Sequence, residues 1–215
     1  TTTPHKYFFW RNRITPASIP GKKPKAIVAV HLYGMPYKIE EIHAIAKKYD
    51  IPVVEDSAEA LGSSYNGINC GSFGDIGILS FNGNKIITTS GGGAMLCKYQ
   101  STKDKAVFLS TQARDNAPHY QHSQIGYNYR MSNVLAGIGR GQMEVLEDRV
   151  AARRNNYQFY KKQLSEVHGI SFLEEPNGAF SNRWLTCILT DSYETREALR
   201  RNLEKENIES RPLWK

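Results

Sequence analysis

The fold of this chain is decided by residues 53–97, whose sequence is VVEDSAEALGSSYNGINCGSFGDIGILSFNGNKIITTSGGGAMLC. Asp56 follows the short apolar run Ile51–Val54, Lys85 comes just after a second such run, and three glycines follow at Gly91–Gly93. Open α/β sheets place their ligands at the carboxyl ends of strands. An acid at one strand end and a lysine past the next therefore indicate a cofactor site rather than a structural core.

The residues before this stretch predict a strand, a helix and a second strand. The segment AIVAVHL, which begins at Ala26, is an apolar run of strand length. In IEEIHAIAKKYD, Ile39, Ile42, Ile45 and Ala46 recur at helical spacing. The segment IPVVE is the next buried strand. A β–α–β unit of about 30 residues implies a parallel sheet with a right-handed crossover.

The later part of the chain predicts further strands and helices around a long polar loop. Ser132 is a suitable N-cap for a long helical tract that carries an apolar side. The predicted elements are strands at 77–81, 93–97 and near 184–190, helical segments at 103–111, 132–167 and 194–208, and a loop at 112–124. The pattern indicates a large α/β portion to about residue 140, followed by a smaller α+β portion.

Composition and charge are those of a globular protein. The 215 residues carry a net charge of +7, with 40% apolar and 23% charged residues. The basic residues are scattered, which favours solvated helix faces over a nucleic-acid surface, although the charge also suits anionic substrates. No apolar run approaches the roughly 18 residues of a membrane span. The three distant cysteines form no disulfide or metal pattern, which predicts a reducing cytoplasm, and His119 and His122 lack a third metal ligand.

Lys85 and Asp56 together suit pyridoxal phosphate chemistry. A lysine can form a Schiff base with the carbonyl of this cofactor, and an aspartate beside its pyridine nitrogen favours the protonated ring. The glycines at Gly91–Gly93 would let the backbone pass close to the lysine. Taken alone, Lys85 fits a surface lysine better than a cofactor residue, and Asp56 fits a turn or cap residue better, so the prediction depends on their combination.

Three long segments carry a resemblance to a known family. EDSAEALGS, GSFGDIGILSFNGNKIITTSGGGAM and IGYNYRMSNVLAGIGRGQ closely resemble the DegT/DnrJ/EryC1/StrS sugar aminotransferases, and HLYGMP and IESRPLWK match as well. The resemblance covers roughly Lys23 to Lys215. It implies a fold-type I aminotransferase, with a mainly parallel sheet in a large domain and a smaller α+β C-terminal domain. SFNGNKIITTSGGGAM and FSNRWLTCILT most resemble the branch that makes UDP-4-amino-4,6-dideoxy-N-acetylglucosamine, of the bacillosamine pathway.

The resemblance also implies a division of the chain. Residues 1–22 are unassigned, residues 23–140 form part of the large pyridoxal-phosphate-binding domain, and residues 141–215 form the long linking helix and part of the small domain. Family members extend further at both ends, and their N-terminal phosphate loop and ring-stacking residue have no counterpart here. The chain is therefore expected to be a fragment of a larger enzyme.

Site residues are carried over from the motifs that match. Lys85 resembles the lysine that binds the cofactor and moves protons, so it is the expected catalytic residue, and Asp56 resembles the acid on the pyridine nitrogen. Glu59 occupies a position near the cofactor's 3-hydroxyl where many members have glutamine. Ser80 resembles a phosphate-binding serine. Asn128 resembles the asparagine that reaches the phosphate from a partner subunit, and Arg130 is expected to steady that loop or meet substrate. No metal site is expected.

These residues predict an aminotransferase that moves an amino group, with glutamate as the expected donor, to C4 of a UDP-4-keto-6-deoxy-N-acetylhexosamine. A homodimer with shared sites is implied, without nucleic-acid or membrane partners. Three alternatives stay open. The first is another nucleotide ketosugar, such as a dTDP-linked one, and the second is a family dehydratase. Lys85 argues against the dehydratase, because those members carry histidine there. The third is a catalytically incomplete fragment that serves as a binding module.

Overall fold

The computed structural model describes residues 22–214, which form nine strands and five α-helices. The strands are β1 (Ile27–Val30), β2 (Val53–Asp56), β3 (Ser64–Tyr65), β4 (Ile68–Asn69), β5 (Ile76–Ser80), β6 (Gly93–Cys97), β7 (Ile170–Phe172), β8 (Ala179–Phe180) and β9 (Ile188–Thr190). The helices are α1 (Ile39–Tyr49), α2 (Gln100–Ser110), α3 (Asn133–Met143), α4 (Leu146–Gln163) and α5 (Tyr193–Lys205). Apart from Lys22, the unassigned stretch 1–22 lies outside the described residues.

A four-stranded sheet in the order β1–β2–β5–β6 positions the site. β1, β2 and β5 are parallel, whereas β6 runs antiparallel to β5. The register sets Asp56 beside Val30 on one side and Ile78 on the other, and pairs Ser80 with Gly93. The predicted β–α–β unit is therefore present, and the predicted strands at 77–81 and 93–97 are found within one residue of their bounds.

The helix α1 packs on one face of this sheet because its apolar residues recur on one side. Its Ile39, Ile42 and Ala46 are buried, and they form a core cluster with Ala29, Tyr37 and Val53. The helix ends where Asp50 adopts a left-handed φ of 49° and donates its N–H to the carbonyl of Lys47. A left-handed residue is a common helix stop, and it turns the chain directly into β2.

The single helix predicted over 132–167 is instead two helices, α3 and α4, which are separated at Glu144–Val145. Burial explains the break. Leu146 and Val150 of α4 pack against Ile87 in a second core cluster, whereas Ile138 of α3 is exposed. A continuous helix presents one apolar stripe, so the change of direction lets α4 bury its own residues independently of α3.

Local geometry also corrects the predicted C-terminal elements. The strand predicted near 184–190 begins only at Ile188, because residues 182–184 make side-chain contacts described below instead of pairing with a strand. The helix α5 ends at Lys205 rather than Ile208. There Asn207 has a left-handed φ of 57°, and the N–H of Ile208 donates to the carbonyl of Leu203, which is a helix-terminating arrangement.

A short hairpin of β3 and β4 was not predicted. Its two-residue turn is Asn66-Gly67, with φ values of 49° and 77°. Two positive φ angles suit the right-handed twist of a hairpin, and Asn-Gly is the dipeptide that most readily adopts them. β3 also pairs with β8, while β7 pairs with β9 in a separate two-stranded sheet.

A buried carboxylate fixes the carboxyl end of β2. Glu55 is fully buried and accepts the backbone N–H groups of Gly71, Phe73 and Gly74 at 2.6, 2.8 and 2.9 Å. The Nε2 of His31 lies 2.7 Å from the same carboxylate, while its Nδ1 accepts the N–H of Tyr37. This pattern requires the tautomer with hydrogen on Nε2. Burial alone would raise the pKa of Glu55, but these hydrogen bonds lower it below its ordinary value.

We predict that Glu55→Gln lowers the free energy of unfolding by about 3 kcal/mol at pH 7, because a neutral amide leaves buried donors without partners. The folded pKa of Glu55 lies below the ordinary value of 4.5. The stabilisation is therefore complete above pH 4.5 and disappears as the pH falls through the folded pKa. Urea unfolding at a series of pH values measures both effects, and the variant should lack this part of the acid sensitivity.

The matched control is Glu41→Gln, since Glu41 is an exposed carboxylate of α1 paired with Lys38. We expect it to change the free energy of unfolding by less than about 0.5 kcal/mol. An identical pH dependence of unfolding in the wild type and in Glu55→Gln would contradict the role given to Glu55.

Candidate active site

Lys85 lies in a tight loop after β5, here called the lysine loop (residues 81–89). The loop is closed at its base by the N–H of Thr89, which donates to the carbonyl of Phe81, and its turn is formed by the N–H of Lys85, which donates to Asn82. The Lys85 side chain is only 13% exposed, and its Nζ lies 3.6 Å from Oε1 of Glu59. The structure thus holds a shielded amine beside a carboxylate.

Glu59 comes from the segment after β2 and is 6% exposed. Its Oε2 accepts the N–H of Tyr33 at 2.6 Å, and that N–H is turned towards it by a left-handed φ of 56° at Tyr33. Burial raises the pKa of the Glu59 carboxyl, although the Tyr33 N–H and the Lys85 ammonium act against the rise, and the nearby Asp56 carboxylate adds to it. Glu59 is therefore a buried carboxyl whose charge is offset only in part by its neighbours.

Asp56 ends β2 and is half-buried at the edge where the parallel strands finish. Its Oδ1 accepts the N–H of Ala58 at 3.1 Å, an arrangement that fixes the carboxylate just beyond the strand. Because neighbouring residues of a strand face opposite sides of the sheet, Glu55 points to the side of α1 and Asp56 to the other side. The structure thus brings Asp56, Glu59 and Lys85 into one region.

Ser80 is the last residue of β5, and its hydroxyl accepts a weak hydrogen bond of 3.4 Å from the N–H of Asn82. It therefore lies at the start of the lysine loop. Glycine is required at the paired position, because a Cβ on Gly93 would collide with the carbonyl oxygen of Leu79 in β5. Of the three glycines, Gly93 is thus the one that lets β6 approach β5 closely, whereas a Cβ on Gly91 would meet nothing within 4 Å. The carbonyl of Gly92 accepts the N–H of Phe81 at the start of the lysine loop.

Asn128 and Arg130 are exposed and lie in the segment between α2 and α3. Asn128 forms an isolated bridge with Thr111. Within residues 22–214, no hydrogen bond or ion pair joins either residue to Asp56, Glu59, Ser80 or Lys85. A single subunit therefore does not bring these two predicted residues to the lysine.

Several residues of the site were not singled out from the sequence. Asn182 is fully buried, and its Nδ2 donates to the carbonyls of Glu59 and Leu61 at 2.8 and 2.9 Å. Trp184 is buried beside the lysine loop, and Tyr33 supplies the N–H to Glu59. The sequence marks the segment FSNRWLTCILT only through its resemblance to the family. Nothing in its periodicity marks these side chains as part of the site.

Neither a metal-binding cluster nor a membrane-spanning helix is found among residues 22–214. Among residues 22–214, no cluster of three or more His, Cys, Asp or Glu side chains is arranged to hold a metal ion. None of the helices in this described part of the chain is both long and apolar enough to cross a membrane.

The donors at the strand ends fit pyridoxal phosphate. This cofactor requires an amine for its aldehyde, an acid for its ring nitrogen and donors for its phosphate. Lys85 offers a shielded amine, and the second oxygen of Asp56 makes no hydrogen bond to any residue that the structure describes. Ser80 and the N–H groups around the lysine loop lie at the same edge of the sheet.

Known proteins resemble the chain along most of its length. It is 50% identical over 195 residues to EpsN of Bacillus subtilis, which is named as a candidate pyridoxal phosphate-dependent aminotransferase, covering 91% of this chain and 50% of that protein. GDP-perosamine synthase of Escherichia coli O157:H7 is 40% identical, with coverage of 89% and 52%. The UDP-4-amino-4,6-dideoxy-N-acetyl-β-L-altrosamine transaminase of Campylobacter jejuni is 34% identical, with coverage of 76% and 44%. The chain spans about half the length of these relatives.

Solved structures share the fold. A candidate sugar aminotransferase of Streptococcus pneumoniae, Spr1654 in its PLP form, superposes with a TM-score of 0.80 at 25% identity, covering 87% of this chain and 54% of that one. The predicted cofactor is thus confirmed at the level of the family. The predicted bacillosamine branch is not confirmed, because the similar proteins include GDP-perosamine synthases as well as a UDP-sugar transaminase.

A sequence model of the DegT/DnrJ/EryC1/StrS aminotransferase family matches residues 10–215. This match begins before Lys23, where the resemblance of the sequence motifs begins, and it includes every residue of the site. The chain therefore belongs to the DegT/DnrJ/EryC1/StrS aminotransferase family.

Proposed function

We propose that the protein is a pyridoxal-phosphate-dependent aminotransferase that transfers an amino group to C4 of a UDP-linked 4-keto-6-deoxy-N-acetylhexosamine, with glutamate as the donor. The observation that carries this proposal is the shielded Lys85 amine, 3.6 Å from Glu59 at the end of the parallel strands. Family membership supports the reaction class, and the name of the Campylobacter relative supports a 4-amino UDP-sugar.

The chemistry divides among residues that the fold brings together. When bound, pyridoxal phosphate supplies an electron sink for the carbon that loses or gains a proton. Lys85 provides the amine that holds the cofactor and later carries that proton. Glu59 supplies a carboxylate 3.6 Å from the Lys85 amine and pairs with it at the strand ends. Asp56 keeps the ring nitrogen protonated, and the Ser80 hydroxyl donates to the phosphate.

The arrangement of the whole protein follows from the same assignment. Residues 23–140 form part of the large cofactor-binding domain, and residues 141–215 form the linking helical tract and part of the small C-terminal domain. The three cysteines are free thiols, which agrees with a cytoplasmic enzyme. The net charge of +7 favours an anionic nucleotide sugar as substrate.

We predict that Lys85→Ala abolishes covalent attachment of the cofactor and lowers turnover by at least about a thousandfold, because no other amine occupies its place. The full-length protein is incubated with pyridoxal phosphate, reduced with borohydride and mapped by mass spectrometry. The product is then analysed after incubation with glutamate and UDP-, GDP- or dTDP-linked ketosugars. We expect amination at C4 of the UDP-linked sugar.

The matched control is Lys98→Ala, since Lys98 follows the antiparallel β6 at the edge opposite to the carboxyl ends of the parallel strands, and its amine lies over Tyr99. It should retain both attachment and turnover. Turnover only of GDP-linked sugars, or only of dTDP-3-keto sugars, would overturn the substrate and leave the aminotransferase intact. The absence of both cofactor attachment and turnover in the wild type would overturn the enzyme and favour a non-catalytic binding module.

The position of Asn128 supports a shared site in a homodimer. Around it lies an exposed apolar surface, in which Ile125, Tyr129 and Val134 are 83%, 78% and 74% exposed. Large apolar side chains left exposed in one short segment suit an interaction surface. A two-fold dimer would bury this apolar surface. It would also bring Asn128 and Arg130 to the cofactor phosphate and the substrate bound in the partner subunit. A buried phosphate dianion needs several converging donors.

We therefore predict that two inactive full-length variants, Lys85→Ala and Asn128→Ala, complement each other when mixed. In the heterodimer, one site carries both lesions and the other carries neither, so activity should recover towards one intact site per dimer. Activity after mixing and re-association is compared with that of each variant alone. Heterodimers that form, as shown by differently tagged subunits, but remain inactive would contradict the shared site.

A further inference from the structure

Trp184 is a buried side chain, 3% exposed, that contacts the lysine loop at two points. Its indole N–H donates to the carbonyl of Asn84 at 2.8 Å, so it holds the backbone immediately before the lysine. The face of the same ring lies 4.4 Å from the Nζ of Lys85. An ammonium over the face of tryptophan is attracted by the ring quadrupole, and most strongly where water is excluded.

Trp184 is itself anchored to the segment that carries Glu59. Its backbone N–H donates to Oδ1 of Asn182 at 2.9 Å, and the Nδ2 of Asn182 donates to the carbonyls of Glu59 and Leu61. Lys85 and Glu59 come from different loops. The segment 182–184 therefore forms hydrogen bonds to both loops and fixes the distance between them.

We propose that Trp184 is a positioning residue that holds the Lys85 amino group beside Glu59. A lysine has a flexible four-carbon stem, and the 3.6 Å separation from Glu59 is longer than a hydrogen bond. The ion pair alone therefore leaves the amine several orientations. The Trp184 ring blocks one side of the Lys85 Nζ. The indole N–H, through its hydrogen bond to Asn84, fixes the backbone to which the Lys85 side chain is attached.

The consequence for catalysis rests on the proposed function, because an amine that must react repeatedly gains from being held near its reacting position. The placement itself does not require the cofactor. A Trp184 that only filled space would leave the chemical accessibility of Lys85 relative to other lysines unchanged in Trp184→Phe, which keeps a ring.

The experiment measures that accessibility directly. The full-length protein, without cofactor, is methylated with formaldehyde and cyanoborohydride, and the rate at Lys85 is divided by the rate at the exposed Lys98 in the same sample. The variants are Trp184→Met, which keeps an apolar side chain but removes ring and N–H, and Trp184→Phe, which keeps a ring but removes the N–H. Phe172→Leu is the matched control, because this aromatic ring packs edge-on against Tyr157 and not against Lys85.

We expect the Lys85/Lys98 ratio to rise about 5- to 30-fold in Trp184→Met, to rise about twofold or more in Trp184→Phe, and to stay unchanged in Phe172→Leu. Circular dichroism shows which variants are folded. If Trp184→Met does not fold, the comparison of Trp184→Phe with the wild type decides. Ratios equal to the wild-type ratio in the folded Trp184 variants would overturn the proposal.

Borohydride trapping of pyridoxal phosphate on the same samples separates this proposal from the proposed function. Failure of the wild type to trap the cofactor at Lys85 would overturn the function, whereas the methylation ratios would still decide whether Trp184 positions the amine.

Discussion

Four N–H groups converge on the buried carboxylate of Glu55, and the arrangement of the sheet around the site depends on this convergence. His31 follows β1, Glu55 belongs to β2, and the donors of residues 71–74 lie in the segment that leads into β5. One charge therefore ties the carboxyl ends of β1 and β2 to the segment that enters β5. Because side chains alternate along a strand, the next residue, Asp56, faces the opposite side and is free for chemistry.

Glu55 and Glu59 show how partners rather than burial decide the state of a carboxyl group. Both are buried, and burial alone raises the pKa of each. The hydrogen bonds that Glu55 accepts lower its pKa below the ordinary value. Burial keeps the pKa of Glu59 raised, because its single backbone N–H and Lys85 at 3.6 Å do not offset this effect and the nearby Asp56 carboxylate adds to it. The first carboxylate is suited to a fixed structural charge, whereas the charge of the second is offset only in part by its neighbours.

Some features missing from the sequence-based prediction had a local signal, and others had none. The Asn66-Gly67 dipeptide is a strong local signal for a hairpin turn. Asn207 is likewise a local signal for the end of α5, since it has a left-handed φ. The break between α3 and α4 had no such mark. It depends on the packing of Leu146 and Val150 against Ile87. Helical periodicity does not encode this contact, because the residues belong to separate segments. Asn128 and Arg130 likewise depend on a surface beyond the single chain.

The sequence by itself determined the β–α–β unit and the placement of Asp56 and Lys85 at or just past strand ends, because side-chain periodicity and strand length are local properties. Parallel strands then bring such ends to one edge. Only the tertiary structure decided that Lys85 meets Glu59, and that Asn182 and Trp184 hold both loops. Trp184 reaches Asn84 across 100 positions, and Asn182 reaches Glu59 across 123. Hydrogen bonds and burial depend on neighbours in space, which the spacing of residues along the chain does not specify.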